Sequence, residues 1–201
     1  MNTTKRKPTQ ERKSEIVDAV LVLAAKAGPE RITTEALAAK VGISHGAIFR
    51  HFPTKNAIWS AVFESISQKM ENSWHKVAPD PSPVKRLRFL VRAQLKLVTL
   101  VPALPAIIFS RELHKKNAGI QKGVLILMKK FHSVLTKEIQ GAIDCGELRP
   151  DLDAADTANL LIAIMQGTVL RWSITQEKFD LVATGSKMLT LTLDGLRQQN
   201  Q

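Results

Sequence analysis

The segment from Arg31 to Lys55, RITTEALAAKVGISHGAIFRHFPTK, gathers the side chains of this sequence best suited to chemistry on a polyanion. It holds hydroxyls at Thr33, Thr34 and Ser44, imidazoles at His45 and His51, and cations at Arg50 and Lys55. Gly46 and Ala47 lie among them, so a helix carrying this set could bring its backbone close to a ligand. The punctuation reads as two short helices joined by a tight Val41-Gly42-Ile43-Ser44 turn. That is the sequence form of a helix-turn-helix, whose second helix enters the major groove of DNA. Leu37, Val41, Ile43, Ile48 and Phe52 are placed to clamp the helices at a fixed angle. His45, Gly46, Ala47, Arg50 and His51 are then left to face outward.

Other chemistries find less support. His75, His114 and His132 are not paired at the short spacings that zinc sites use, so no metal is expected. There is no glycine-rich phosphate loop and no nucleophile elbow, so an enzyme is the least supported class and no cofactor is expected. Cys145 is the single cysteine, which excludes an intrachain disulfide framework and suits a reducing cytosol. It reads as an ordinary residue near a helix end.

The elements around this segment are helical throughout. Ile16, Val20, Leu23, Ala24 and Ala27 form one apolar stripe in a helix from Thr9 or Gln10, stopped by Gly28-Pro29. Thr33 or Thr34 can cap a helix to about Lys40, Gly42 gives the turn its positive φ, and Ser44 caps a helix from His45 to about Phe52. Thr54 caps a longer one carrying Ile58, Val62 and Ile66. The run Ala78-Pro79-Asp80-Pro81-Ser82-Pro83 is the strongest linker signal. Beyond it the pattern predicts helices over 84–100, 109–114, 119–145, 153–174 and 179–197, with a break at Pro102 and Pro105. No strand-period alternation is present. The expected fold is all-α: a three-helix head over 1–55, preceded by a basic tail over 1–9, and a helical regulatory and dimerisation domain over 56–201, with the helix ahead of the linker serving both.

Composition fits this division. The 201 residues are 44% hydrophobic, enough for a packed core, and carry a net charge of +11 with a pI of about 10.0. Such a balance favours polyanions, either nucleic acid or an acidic membrane surface. The N-terminus is basic and polar, with no apolar stretch of a signal peptide after it. The longest apolar runs, Val20–Ala25 and Gly123–Met128, are far shorter than the roughly 20 residues of a spanning helix. The expectation is a cytoplasmic, nucleoid-associated protein without a membrane partner.

From about Ile16 to Val62 the chain closely resembles the TetR/AcrR DNA-binding domain. Gly28, Ile32-Thr33-Thr34, Leu37-Ala38, Val41-Gly42-Ile43-Ser44, Gly46-Ala47-Ile48-Phe49-Arg50-His51-Phe52 and Lys55 carry the likeness. Its nearest flavour includes a nucleoid-occlusion factor as well as ordinary repressors. The resemblance implies that Thr33 or Thr34, His51 and Lys55 contact phosphate, and that His45, Gly46 and Ala47 read bases. Arg50 sits at a variable position that could reach either. Phe49 stands where the family usually has Tyr, so a phosphate hydrogen bond from a phenol is lost. Glu35 sits where relatives can touch DNA; it is expected to point away or to accept from a cytosine amine.

The resemblance also implies a homodimer on an inverted-repeat operator of double-stranded DNA, released by an unidentified small-molecule effector bound among the C-terminal helices. Leu160, Ala163, Ile164, Gly167 and Leu170 in one helix, with Leu181, Gly185, Met188, Leu189, Thr192 and Leu196 in the next, form stripes at helical spacing that could build the dimer. The alternative is that these stripes face only the chain's own core. Phe89, Phe109, Met128, Phe131 and Trp172 are the large side chains that could line an effector cavity. A competing function is a DNA-binding protein whose C-terminal domain engages a protein partner. An enclosed apolar cavity would favour the ligand-responsive regulator, and a solid core with an apolar surface groove would favour its competitor.

Overall fold

The computed structural model describes residues 8–76 and 80–197, so Lys5, Arg6 and Lys7 of the basic tail and Ala78 and Pro79 of the linker lie outside the described residues. Helix α1 spans Thr9–Ala27 and buries Ile16, Val20 and Ala24 along one face. Gly28, at φ 85°, turns the chain, and Pro29–Arg31 form a single 3-10 turn. Helix α2 spans Thr34–Val41 and α3 spans His45–His51. Between them Gly42 adopts the left-handed conformation, φ 73°, that a side chain would disfavour. Thr33 rather than Thr34 caps α2, its Oγ1 accepting from the Ala36 N–H at 3.1 Å. Ser44 caps α3 in the same way through the Ala47 N–H at 3.3 Å.

Helix α4, Lys55–His75, is capped by Thr54 and passes from the head into the remaining helices. Its first turns pack on α1 through Ile58, Trp59 and Val62. Its last turns bury Ile66, Met70 and Trp74 against the following elements. Those are α5, Pro83–Leu100, α6, Ala103–Ile108, α7, Arg111–Lys116, α8, Ala118–Asp144, α9, Ala154–Ile174, and α10, Leu181–Gly195. No strand occurs among the described residues. Inside this bundle the Trp74 indole N–H donates to Gln94 Oε1 at 2.9 Å, and the ring stacks on Phe131 with centroids 5.0 Å apart.

Two elements differ from the sequence expectation. The stretch read as a break at Pro102 and Pro105 is helix α6, and the short helix after it begins at Arg111 behind a Ser110 cap. Both prolines fall at the start of α6, where a helix has no use for the backbone N–H that proline lacks. The last helix, expected over 179–197, starts at Leu181, because Asp180 caps it, Oδ1 accepting from the Ala183 N–H at 2.8 Å.

Candidate nucleic-acid interface and effector cavity

The head's own core sets the angle between α2 and α3. Leu37, Ile48 and Phe52 are buried, and Val41 and Ile43 pack against them. On the outer surface, Ser44, His45, Gly46, Arg50 and Lys55 are exposed, and Phe49 and His51 are half-buried. Nothing stands within 4 Å of where a Gly46 side chain would begin, so another backbone can approach there. Ala47 departs from the expectation that it faces outward. It is buried, because the tight turn that places His45 and Gly46 outside rotates the next position into the head.

Three side chains of this surface form a network that spacing alone did not reveal. His45 Nε2 lies 3.0 Å from Thr34 Oγ1 and 3.1 Å from Glu35 Oε1, and the Thr34 hydroxyl is 3.4 Å from the same carboxylate oxygen. Oε1 of Glu35 is thus turned toward the start of α3, and the carboxylate is otherwise exposed. Its carboxyl is held below the usual carboxylate range by its own backbone N–H and by Thr33, with smaller pulls from His45 and Thr34. The His45 ring meets Phe49 edge-on, with centroids 5.0 Å apart. The link runs between two helices, so it depends on their crossing angle and has no sequence signature.

At the other end of α3, His51 Nδ1 is enclosed without a hydrogen-bond partner. Burial, followed by the charges of Arg12, Arg50 and Lys13, holds its imidazole below the ordinary histidine range. Lys13 lies over the Phe52 ring at 5.5 Å from its centroid. Helix α1 thus adds Arg12 and Lys13 to the cations of α3, two residues that the motif did not indicate. Lys55 is exposed, and its Nζ donates to the Ile32 carbonyl at 2.7 Å, so it also ties α4 to the strap before α2.

A cavity of about 290 Å³ opens between α4, α5, α6, α8 and α9. Its wall is mostly apolar, from Met70, Val98, Leu104, Ile108, Leu127, Phe131, Ile162 and Val169, with Lys129, His132, Asn159 and Gln166 as polar points. Of the five large residues expected there, Phe109, Met128 and Phe131 line it. Phe89 does not, since it lies off the buried stripe of α5 and is exposed. Trp172 is buried in the core, one turn past the lining residue Val169.

The stripes expected at a dimer interface separate into two groups. On α9, Leu160, Ala163, Gly167 and Leu170 are exposed and Ile164 is half-buried. On α10, Leu181, Gly185 and Leu189 instead face the chain's own core, with Leu196 packed against it. That helix must first cover α5 and α9, and its cleanest apolar stripe does so. A side chain at Gly185 would begin 2.3 Å from Leu95, so glycine is what lets α10 lie so close to α5. Met188 and Thr192 are half-buried, and Leu191 is exposed.

An all-helical chain with a helix-turn-helix on an exposed basic face and a cavity behind it defines a class, that of the two-part DNA-binding regulators. Residues 16–62 match the family model of bacterial regulatory proteins of the tetR family, and residues 63–195 match that of the C-terminal region of YsiA-like proteins. The chain belongs to the TetR family of transcriptional regulators. It is 23% identical over 186 residues to the fatty acid metabolism regulator protein of Bacillus subtilis, covering 92% of this chain and 95% of that one. It is 26% identical over 160 residues to the nucleoid occlusion factor SlmA of a Marinomonas species, covering 79% of this chain and 81% of that one. The fold matches a TetR regulator from Haloarcula marismortui with a TM-score of 0.80 at 20% identity, over 94% of this chain and all 100% of that one. FadR of Bacillus subtilis, solved with stearoyl-CoA, matches with a TM-score of 0.72 at 22% identity, over 92% and 99% of the two chains.

Proposed function

We propose that this regulator is a homodimeric repressor, bound to an inverted repeat and released from it by an amphiphile with an apolar body. The observation that carries this reading is the cavity. At about 290 Å³ it is near the lower end of the roughly 300–1,000 Å³ of small-molecule sites, and its wall is mostly apolar. Lys129, His132, Asn159 and Gln166 would meet a polar or anionic head group. An acyl thioester has this shape, and the likeness to FadR, which binds stearoyl-CoA, points the same way.

Two identical heads related by a two-fold axis would read two inverted half-sites. The exposed face of α9, continued by Leu191 of α10, would form the centre of the dimer, with Gly167 leaving room for close approach. The head over 1–55 and the regulatory domain over 56–201 would share α4, inside which the two family models meet. A ligand can drive release only by binding the DNA-incompetent state more tightly. Helix α6 lines the cavity on one side and packs on α1 of the head on the other, so a change in the cavity has a direct mechanical route to α1.

The test is titration of the full-length protein with acyl-CoA thioesters of graded chain length. DNA affinity and thermal midpoint are followed together. A chain-length optimum, with a raised midpoint and weakened DNA binding, is expected. If no thioester changes either quantity, the effector class is wrong. The alternative, a DNA-bound protein that engages a protein partner, rests on sequence likeness to the nucleoid occlusion factors.

A further inference from the structure

Glu35 is the only acidic residue between Arg31 and Lys55. On a surface that must meet phosphates, a carboxylate weakens binding by repulsion. The pair it makes with His45 is exposed, 71% for Glu35 and 49% for His45, and exposed ion pairs contribute little to stability. A carboxylate in the first turn of α2 suits the helix N-terminus and is held there by its own backbone N–H and Thr33, but neither accounts for the pairing of its Oε1 with His45 on the next helix.

We propose that Glu35, assisted by Thr34, is a specificity-determining positioning residue that holds the hydrogen of His45 on Nε2 and so presents Nδ1 to the DNA as an acceptor. The inference rests on the reading of α3 as the helix that enters the major groove. His45 Nε2 faces two oxygens at 3.0 and 3.1 Å. If Nε2 were bare, its lone pair would point at a carboxylate oxygen, acceptor against acceptor. With the hydrogen on Nε2, all contacts agree: the ring donates to Thr34 Oγ1 and Glu35 Oε1, and the Thr34 hydroxyl donates to Glu35. Phe49 closes on the ring edge-on and limits its rotation. In the neutral ring the remaining nitrogen, Nδ1, is then an acceptor. In the major groove its partners are exocyclic amines, N6 of adenine or N4 of cytosine. Glu35 thus gives up some phosphate attraction in exchange for discrimination at one base pair of each half-site.

The experiment is selection from a duplex pool with a randomised core, using full-length wild type, Glu35→Ala, Glu35→Gln, Thr34→Val and His45→Ala, followed by titration of the selected duplex and its single-base variants. Wild type should enrich adenine or cytosine at one position per half-site. Glu35→Ala and His45→Ala should lose that preference at the same position, with discrimination falling roughly fivefold, as for one hydrogen bond. Glu35→Gln keeps an acceptor oxygen and should keep the preference. Thr34→Val removes one tie without changing charge and should weaken the same preference, which covers the case of a poorly folded Glu35→Ala. Binding of Glu35→Ala to mixed-sequence duplex should not weaken, because a negative charge has been removed. The proposal is overturned if Glu35→Ala retains the wild-type preference, alters a different position from His45→Ala, or weakens all duplexes alike. Failure of wild type to enrich any motif would instead overturn the groove-reading role of α3, and this inference with it.

Discussion

At the scale of single residues, the outer face of α2 and α3 holds two titratable groups, Glu35 and His51, that both favour the unprotonated form. His51 is enclosed at Nδ1 and surrounded by Arg12, Lys13 and Arg50, which together lower its affinity for a proton. The unfolded chain binds that proton more readily, with an ordinary histidine pKa of about 6.5. The stability contributed by neutral His51 is therefore fully present above that value and is lost as pH falls through the lower folded value. A DNA phosphate beside the ring would act in the other direction and favour the imidazolium. Acidification should thus lower the thermal midpoint of the free protein while strengthening its grip on DNA. In His51→Gln both slopes should shrink, which paired melting and binding titrations across the histidine range can check; unchanged slopes would remove His51 from the interface. Phe49→Tyr should tighten binding by about 1 kcal/mol per half-site if its hydroxyl gains a phosphate hydrogen bond, as fluorescence anisotropy would report. The exposure of Ser44, His45, Gly46 and Arg50 on this face was legible because a helix-turn-helix fixes it by spacing, whereas His51, expected to face outward, is half-buried with Nδ1 enclosed. The burial of Ala47 and the Glu35–His45 link were not legible, because both depend on how α3 is rotated against α2.

At the scale of elements, the apolar period announced every long helix, but not which neighbour each stripe would meet. Leu181, Gly185 and Leu189 recur at the spacing of an interface and turn out to seat α10 on α5. Two glycines separate the cases. A side chain at Gly185 would begin 2.3 Å from Leu95, which is itself fully buried, whereas nothing lies within 4 Å of one at Gly167. Gly185→Val should therefore destabilise the fold by roughly 1–3 kcal/mol through overpacking, measured by urea denaturation. Gly167→Arg should leave the helical content intact yet shift sedimentation equilibrium from dimer toward monomer, and an unshifted equilibrium would place the dimer contact elsewhere. Helix α6 escaped the sequence reading for a different reason. Proline reads as a stop, and only its position in the first turn, where no N–H is needed, makes it a start.

At the scale of the whole molecule, the cavity and the head are joined by a short path. Phe109 lines the cavity and ends α6, and the next residue, Ser110, caps α7 while its hydroxyl donates to the Glu30 carboxylate in the 3-10 turn of the head. Ser110 is buried while Glu30 is exposed, so the bond reaches from the packed side of α6 and α7 to the solvent-facing edge of the head and is worth about as much as an ordinary hydrogen bond. A ligand that displaces Phe109 must carry Ser110 with it, and Glu30 would transmit that movement to the strap before α2. Ser110→Ala cuts the path without touching the cavity wall or the DNA-facing residues. Effector affinity of the free protein should therefore stay near wild type, and DNA affinity without effector should change little. What should fall is the coupling between them, by about 1 kcal/mol or roughly fivefold in the effector-induced loss of DNA affinity. Coupling is reciprocal, so DNA should weaken effector binding less in the variant, by the same factor. Measuring the cycle in both directions guards against a variant that has merely loosened. Equal coupling in wild type and Ser110→Ala would show that the signal travels through the packing of α6 on α1 alone.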